Sequence, residues 1–385
     1  MRIAHIADTH LGYRSGTTPR RDEDFAASWI QACRDIVQAE PDLVLHAGDV
    51  FHRPNPSWGA VKTFLDGAEI LEGTHAPVLG ISGNHDSSRI MTKNNVFNVL
   101  GGVLTNFDIS YDDFPVIDRP RGLNTTIVRL SHQALLARDL KEKWEYAVSQ
   151  LGDTQYTILV AHGGVLSLEK SQEQGSFDIP DFVFDYPWDY AALGHLHMAQ
   201  PFGKRGWYSG SIERCGWSDI LAEPAWTLVT LSDGKVRHEQ RALPHVRFLQ
   251  LPEIKCDGDE EVDILASVLT SLGDSRLSVS ERTLSRVKLI GVHPFKRRVI
   301  QSSIQRVVKD LYPNVVFQVE AESRIWLDED PGDAPQEKDI QSVEEMFIDF
   351  VQSRTFQDPE IPAKLLEVGS AALAKARARE ETQES

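Results

Sequence analysis

Five short segments constrain this chain more than anything else in it. They are Asp8-Thr9-His10, Gly48-Asp49, Gly83-Asn84-His85-Asp86, Ala161-His162-Gly163 and Gly194-His195-Leu196-His197. Each comes directly after an apolar, strand-like run. Each carries a carboxylate, an amide or an imidazole, the donors that metal sites for phosphate chemistry combine. Two metals sharing such ligands clamp both the attacking and the leaving oxygen of a phosphate ester. Alternate side chains of an extended segment share a face, so Asp8 and His10 point the same way, and His195 and His197 repeat the pattern. Asp49 follows a glycine after a strand and is placed to bridge two ions. One such segment arises easily by chance; five in order do not.

The runs around these segments predict an α/β core. Residues 2–7, 42–47 and 77–82 read as buried strands, and 24–40 and 58–72 as helices between them. The first helix places Phe25, Trp29, Ala32, Ile36 and Val37 on one face. Strand–helix alternation argues for parallel strands, and ligands gather beyond the carboxyl ends of such strands. Further strands are predicted at 125–131, 156–161, 190–193, 226–231 and 236–243. The last two are joined by the turn signal Ser232-Asp233-Gly234-Lys235. Residues 246–254, 261–272, 284–292, 298–311 and 315–319 then read β-α-β-α-β, a small second domain. A linker by composition spans 328–335. Helical spacing returns at 339–356, with Ile340, Val343, Phe347 and Phe350 on one stripe, and at 361–381.

With 385 residues the chain is long enough for two or three domains. No apolar stretch reaches roughly 18 residues, so no transmembrane helix is expected. The N-terminus runs straight into the first strand, which leaves no room for a signal peptide. Cys33, Cys215 and Cys256 lie far apart with no CxxC, which argues for a reducing cytoplasm and against a disulfide framework or zinc finger. The net charge of −17 opposes nucleic-acid binding. Its distribution changes that reading. From 276 to 309 nine basic residues (Arg276, Arg282, Arg286, Lys288, Lys296, Arg297, Arg298, Arg306, Lys309) face one acid, Glu281, a local net of +8. From 320 to 349 eleven acids face two bases, a local net of −9. Each run is either a solvated face or a separate binding task. Of the 13 histidines, His5, His46, His75, His132, His238, His245 and His293 are expected to be structural or solvated.

The order, spacing and residue types of the five segments resemble the calcineurin-like metallophosphoesterase superfamily. The resemblance implies a sandwich of two mixed sheets flanked by helices, with a small α+β capping domain and C-terminal helices. It assigns one divalent ion to Asp8, His10, Asp49 and His197, and a second to Asp49, Asn84, His162 and His195. Neutral Asn84 limits the negative charge of such a site. His85 matches the family histidine that contacts the phosphate or protonates the leaving group, and Asp86 is expected to orient an imidazole.

His52, three residues after Asp49, narrows the resemblance to the nuclease branch, the SbcD family, related to the eukaryotic meiotic-recombination-eleven nuclease. Asp8-Thr-His-Leu-Gly-Tyr13 resembles that branch's first motif, and Arg21-Asp-Glu-Asp-Phe25 the segment after it. Tyr208-Ser-Gly-Ser-Ile-Glu-Arg214 resembles its YPGSxER segment, with Ser209 where proline is common. The implied protein is a manganese-dependent DNA exo- and endonuclease subunit of double-strand-break repair, acting on ends and hairpins. His52 and His85 would serve the leaving group or phosphate. The implied domains are a nuclease domain at 1–244, a capping, DNA-contacting domain at 245–325, a linker at 326–337 and a helical segment at 338–385. That last segment would dock on an SMC-like ATPase of the SbcC type. A homodimer and a cytoplasmic, nucleoid-associated location are also implied. The tail has a second reading as an intramolecular packing helix. Two rivals stand beside the nuclease: a metallophosphoesterase acting on a non-DNA phosphoester, and a non-enzymatic scaffold, which degenerate ligands would mark; none of the expected ligands is missing.

Overall fold

The computed structural model describes residues 1–16, 18–88, 95–104, 106–165, 178–256, 261–275, 282–292 and 294–322. The predicted linker and C-terminal helices at 326–385 lie outside them, as does His293.

The chain opens with strand β1 (Arg2–Ile6), helix α1 (Arg21–Gln38), β2 (Leu43–Ala47), α2 (Trp58–Leu71), β3 (Val78–Ile81), the short α3 (Val96–Leu100) and β4 (Phe107–Ser110). A second run holds β5 (Val116–Asp118), β6 (Thr125–Leu130), α4 (His132–Leu135), α5 (Leu140–Ser149), β7 (Tyr156–His162), β8 (Tyr190–Gly194), β9 (Gln200–Phe202) and β10 (Gly206–Tyr208). The hairpin β11 (Ala225–Ser232) and β12 (Lys235–Ala242) follows. The described chain ends with β13 (Arg247–Gln250), β14 (Ile254–Lys255), α6 (Glu261–Asp274), β15 (Thr283–Ile290), α7 (Pro294–Leu311) and β16 (Val315–Glu322).

Two six-stranded mixed sheets form the body. The first runs β12-β11-β1-β2-β3-β4 and the second β5-β6-β7-β8-β10-β9. Strands β1 to β4 are mutually parallel, and β11 returns antiparallel to β1. In the second sheet β6, β7, β8 and β10 are parallel, with antiparallel strands at both edges. Alternation along each strand divides the core. Ile3, Leu43, Leu45 and Ile81 meet Ile127, Ile158, Val160 and Ala192 between the sheets. Ala4, Ile6 and Val44 face outward onto Trp29, Ala32, Ile36 and Phe64 of α1 and α2. Leu130, Leu159 and Leu193 face outward onto Ala134, Leu140 and Trp144. Strands buried on both faces read as continuous apolar runs, which is how they stand out in the sequence.

The helices are legible for similar reasons. The stripe of α1 carries Phe25, Trp29, Ala32, Cys33 and Ile36 into the core, and its first turn holds Asp22, Glu23 and Asp24 against the positive helix end. Ser57 caps α2 by accepting the Ala60 N–H at 3.3 Å.

The last segment forms its own sheet. Strands β13, β14 and β16 are all parallel to β15, and α6 and α7 cover it with a separate apolar cluster that includes Val268, Val287, Ile304 and Phe317. The strand expected over 246–254 is broken in two: Pro252, between β13 and β14, has no N–H for the ladder. Helix α7 begins earlier than the expected 298, with Pro294 in the first turn, where a missing N–H costs nothing. Short elements α3, α4, α5, β4, β5, β9 and β10 add to the predicted set. Met1–Ser323 forms one compact unit. Among the described residues no helix is long and apolar enough to cross a membrane.

Candidate metal centre

The carboxyl ends of β1, β2, β3, β7 and β8 meet along one edge of the sandwich. The loops after β1 and β2 zip together there. The N–H of Asp8 bonds the carbonyl of Gly48 (3.0 Å), that of His10 the carbonyl of Asp49 (3.0 Å), and that of His52 the carbonyl of Leu11 (3.1 Å). Both carboxylate oxygens of Asp8 accept the N–H of His195, at 3.1 and 3.0 Å, which ties the two sheets together. Asp8, His10, Asp49 and His195 all have positive φ, of 52°, 39°, 52° and 102°. Non-glycine residues rarely sit there, and such strain concentrates at functional sites. Close packing explains two glycines. A Cβ on Gly48 would lie 2.4 Å from His162 Nδ1, and one on Gly83 2.2 Å from Asp49 Oδ1.

All seven expected donor residues converge. His162 donates from Nδ1 to the Ala47 carbonyl at 2.7 Å, since a carbonyl can only accept. Its Nε2 lies 3.0 Å from Asn84 Oδ1 and 3.4 Å from Asp49 Oδ2. His195 Nδ1 lies 3.2 Å from the same Asn84 oxygen. Asp49 Oδ2 is 3.7 Å from His10 Nε2, and its Oδ1 accepts the His85 N–H at 2.8 Å. His10 Nε2 and His197 Nε2 face each other at 3.1 Å. His52 and His85 stack beside this cluster, rings 4.9 Å apart and 26° from parallel. His85 donates from Nδ1 to the His52 carbonyl at 3.2 Å. Tyr13 packs edge-on against His52 at 4.7 Å.

Burial and mutual charge set the electrostatics. Burial pushes the Asp8 carboxyl up, and neighbouring Asp49 adds to this. Burial also acts on Asp49, but His162, His10 and His85 outweigh it and hold that carboxyl well below its usual range. Burial opposes a charge on His162, yet Asp49 and Asp8 raise it to about 9. His195 is pushed down to about 3 by burial and then by the charge of His162. Asp49 and His162 thus favour a charged pair, while burial holds His195 neutral.

That donor set fits divalent cations. It has two buried carboxylates, imidazoles whose unbonded nitrogens converge, and an amide oxygen at hydrogen-bond distance from two of them. Ligand atoms of Asp8, Asp49 and His162 lie within 4.8 Å of one another. The same holds for His10, His52 and His85, and for His10, His197 and Cys215.

Two residues here have no local sequence signal. Asp219 accepts from His197 Nδ1 at 2.8 Å and from the Cys215 N–H at 2.9 Å. A carboxylate behind a histidine fixes its tautomer and ring orientation, leaving Nε2 to face the site. Cys215 is the other. Asp86 corrects an expectation. Its carboxylate accepts backbone N–H groups of Val50 (2.9 Å), Phe51 (2.6 Å) and Gly83 (3.0 Å), so it ties loops together and does not orient an imidazole. The Arg21 and Ser-Ile-Glu-Arg214 segments are likewise structural. Arg21, buried, pairs with Asp24 at 2.6 Å and lies 3.5 Å from buried Glu213, whose other oxygen holds the Val246 N–H at 3.0 Å.

With this fold and this donor cluster, the profile of the family described as calcineurin-like phosphoesterase matches residues 1–199, and the chain belongs to that family. Its fold is the metallophosphoesterase sandwich. Among curated proteins, the chain is 31% identical over 236 residues to the DNA double-strand break repair protein Mre11 of Archaeoglobus fulgidus, covering 56% of this chain and 50% of that protein. It is 34% identical over 202 residues to the protein of the same name from Methanococcus maripaludis, covering 51% and 52%. A third Mre11, from Methanocaldococcus jannaschii, aligns over 366 residues at 23% identity, covering 91% and 90%. The matched part spans about half the length of the first two relatives.

Proposed function

We propose that this chain is the nuclease subunit of a double-strand-break repair machine, hydrolysing DNA phosphodiesters at a pair of divalent cations with manganese as the working ion. One observation carries the reading: donors from five distant segments meet at one sandwich edge, with the His52–His85 stack beside them. The names of the relatives supply the substrate class. Asp8, His10, Asp49 and His197 would hold one ion, and Asp49, Asn84, His162 and His195 the other. Divalent ions bound there would polarise the phosphoryl oxygens and make water more acidic near neutral pH.

The chain's own residues do the rest. Asp219 and the Ala47 carbonyl hold His197 and His162 in fixed tautomers. His85 spends Nδ1 on the His52 carbonyl, so Nε2 is the atom that contacts phosphate or passes a proton to the leaving oxygen. His52 stacks on that ring and fixes its plane. In this reading residues 1–244 form the nuclease domain and 245–325 a cap. Residues 326–337 are a linker, and 338–385 dock on an SMC-like ATPase of the SbcC type, with two nuclease chains per assembly. The separate apolar core of the third sheet supports the cap. Lys296, Arg297 and Arg298 are exposed on α7 and suit phosphate contact.

A second reading, hydrolysis of a non-DNA phosphoester, is favoured by one observation. Part of the basic run is spent internally: Arg282 pairs with Asp24, Arg286 with Glu320 at 3.2 Å, and Lys288 with Glu322 at 2.7 Å. The test is to assay manganese-loaded protein on a small phosphodiester and on linear and hairpin duplex DNA. Cleavage of both substrates is expected, and Asp8→Ala should lose one ion and nearly all hydrolysis. Hydrolysis of the small diester alone would move the chain to the second reading. Full activity of Asp8→Ala with unchanged metal content would overturn both.

A further inference from the structure

We propose that the Cys215 thiolate is an additional donor to the ion held by His10 and His197, giving that half of the centre a mixed oxygen, nitrogen and sulfur ligand set. The proposal rests on the reading of Asp8, His10, Asp49 and His197 as ligands of one ion.

The geometry of the loop carries it. The sulfur lies within 4.8 Å of ligand nitrogens of both His10 and His197. The backbone on either side of that sulfur is pinned. The Cys215 N–H bonds Asp219 Oδ2 at 2.9 Å, and its carbonyl accepts from the Tyr13 hydroxyl. The oxygen that holds the Cys215 N–H also holds His197 Nδ1, at 2.8 Å. One carboxylate therefore sets both the imidazole and the cysteine.

His197 has its Nδ1 hydrogen committed to Asp219, so its Nε2 offers a lone pair, and that atom faces His10 Nε2 at 3.1 Å. His10 is buried, with 1% of its surface exposed, and its Nδ1 has no hydrogen-bond partner among the described residues. Two imidazole nitrogens, one on buried His10 and one on half-buried His197, converge beside a thiol and form a donor set for a borderline-soft cation. Thiolate ligands select zinc and other thiophilic ions, whereas carboxylate and carbonyl oxygens suit manganese. The consequence is asymmetry. Among the described residues no cysteine is grouped with His162, and the half with Cys215 would hold zinc or cobalt more tightly. On binding, the thiol proton is released to solvent and the sulfur lone pair forms the new bond to the cation.

Cobalt(II) provides a readout independent of catalysis. The full-length protein, stripped of metal and titrated with cobalt, should develop visible d–d absorption and also a near-ultraviolet sulfur-to-cobalt charge-transfer band. Cys215→Ser and Cys215→Ala should both bind the same number of cobalt ions and lose that band. Their affinity for zinc at one site should fall more than their affinity for manganese. Visible absorption without the charge-transfer band in the unsubstituted protein would overturn the proposal while leaving the ion centre intact. A band that persists in the Cys215 variants would assign it to another thiol and also overturn the proposal. No cobalt binding at all would overturn the centre itself.

Discussion

His52 and His5 show how differently two histidines are used. His52 lies beside the donor cluster, stacked on His85, while its ring contacts Tyr13 and His10. Its job in the proposed mechanism is to steady the group that meets the phosphate, without holding an ion. His52→Ala should therefore keep both metals and slow hydrolysis by no more than about 10²–10⁴-fold, the worth of the positioned acid–base group itself. Metal content by elemental analysis, alongside rate, checks this; loss of an ion would make His52 a ligand. His5 is far less chemical. It sits between the sheets, its Nδ1 2.7 Å from the Tyr190 hydroxyl, and burial first, then nearby His238 and His46, push its pKa from 6.5 down to about 3. A depressed histidine pKa means the unfolded chain takes up a proton that the folded chain refuses. Stability is then lost as pH falls below about 6.5, by up to about 1.4 kcal/mol per pH unit until the folded pKa is reached. His5→Gln, which can still bond Tyr190 but does not titrate, should flatten the fall in unfolding free energy between about pH 6 and pH 4. A slope identical to that of the parent protein would place the acid sensitivity elsewhere.

The element that joins the site to the third sheet is the short stretch from Glu213 to Asp219. Asp219 orients His197, and Trp217, two residues earlier, is gripped by the last sheet. Its indole N–H bonds Gln318 Oε1 at 2.8 Å, the Arg286 guanidinium lies 4.4 Å from its ring, and Phe248 packs edge-on at 5.0 Å. Gln318 in turn bonds the Thr18 hydroxyl at 3.0 Å. The position of a histidine at the metal centre thus depends on strands β13, β15 and β16. Removing a carboxylate behind a ligating histidine costs about 10–100-fold in metal affinity. Trp217→Ala, which only loosens that carboxylate, should weaken one ion by less than Asp219→Ala does and leave the other unchanged. Metal titration of the two variants decides it; affinities for both ions unchanged from the parent protein in Trp217→Ala would mean the stretch holds itself without the sheet. A different loop, the turn after β3, departs from the expectation drawn from sequence. Asp86, adjacent to His85, reads as an imidazole partner, but the turn after β3 points it at three backbone N–H groups.

At the scale of the whole molecule, net charge and local charge differ in sign. The chain carries −17 overall, yet α7 exposes Lys296, Arg297 and Arg298 at its start. Replacing all three with Ala should reduce the slope of log affinity for duplex DNA against log salt by roughly 2.7, since each neutralised phosphate contributes about 0.9. An unchanged slope would return that face to an ordinary solvated one. Arg282, Arg286 and Lys288 contribute little to such binding, because their charges are met by Asp24, Glu320 and Glu322. A count of charges along the sequence includes them; only packing shows that they are spent.

The sequence by itself determined the strands that are buried on both faces, the amphipathic helices between them, and the five donor segments at strand ends. These are local patterns, written within a few residues by apolar alternation and by the chemistry of each side chain. Short edge strands such as β4, β5 and β9 escaped, because three or four half-exposed residues carry too little pattern. Only the tertiary structure decided which donors meet, that Asp8 holds the His195 N–H across 187 positions of chain, that Asp219 stands behind His197, and that Cys215 lies beside it. No periodicity encodes those pairs. They exist because two sheets pack face to face with their parallel strands ending at a common edge, and because Gly48 and Gly83 leave room for the side chains that meet there.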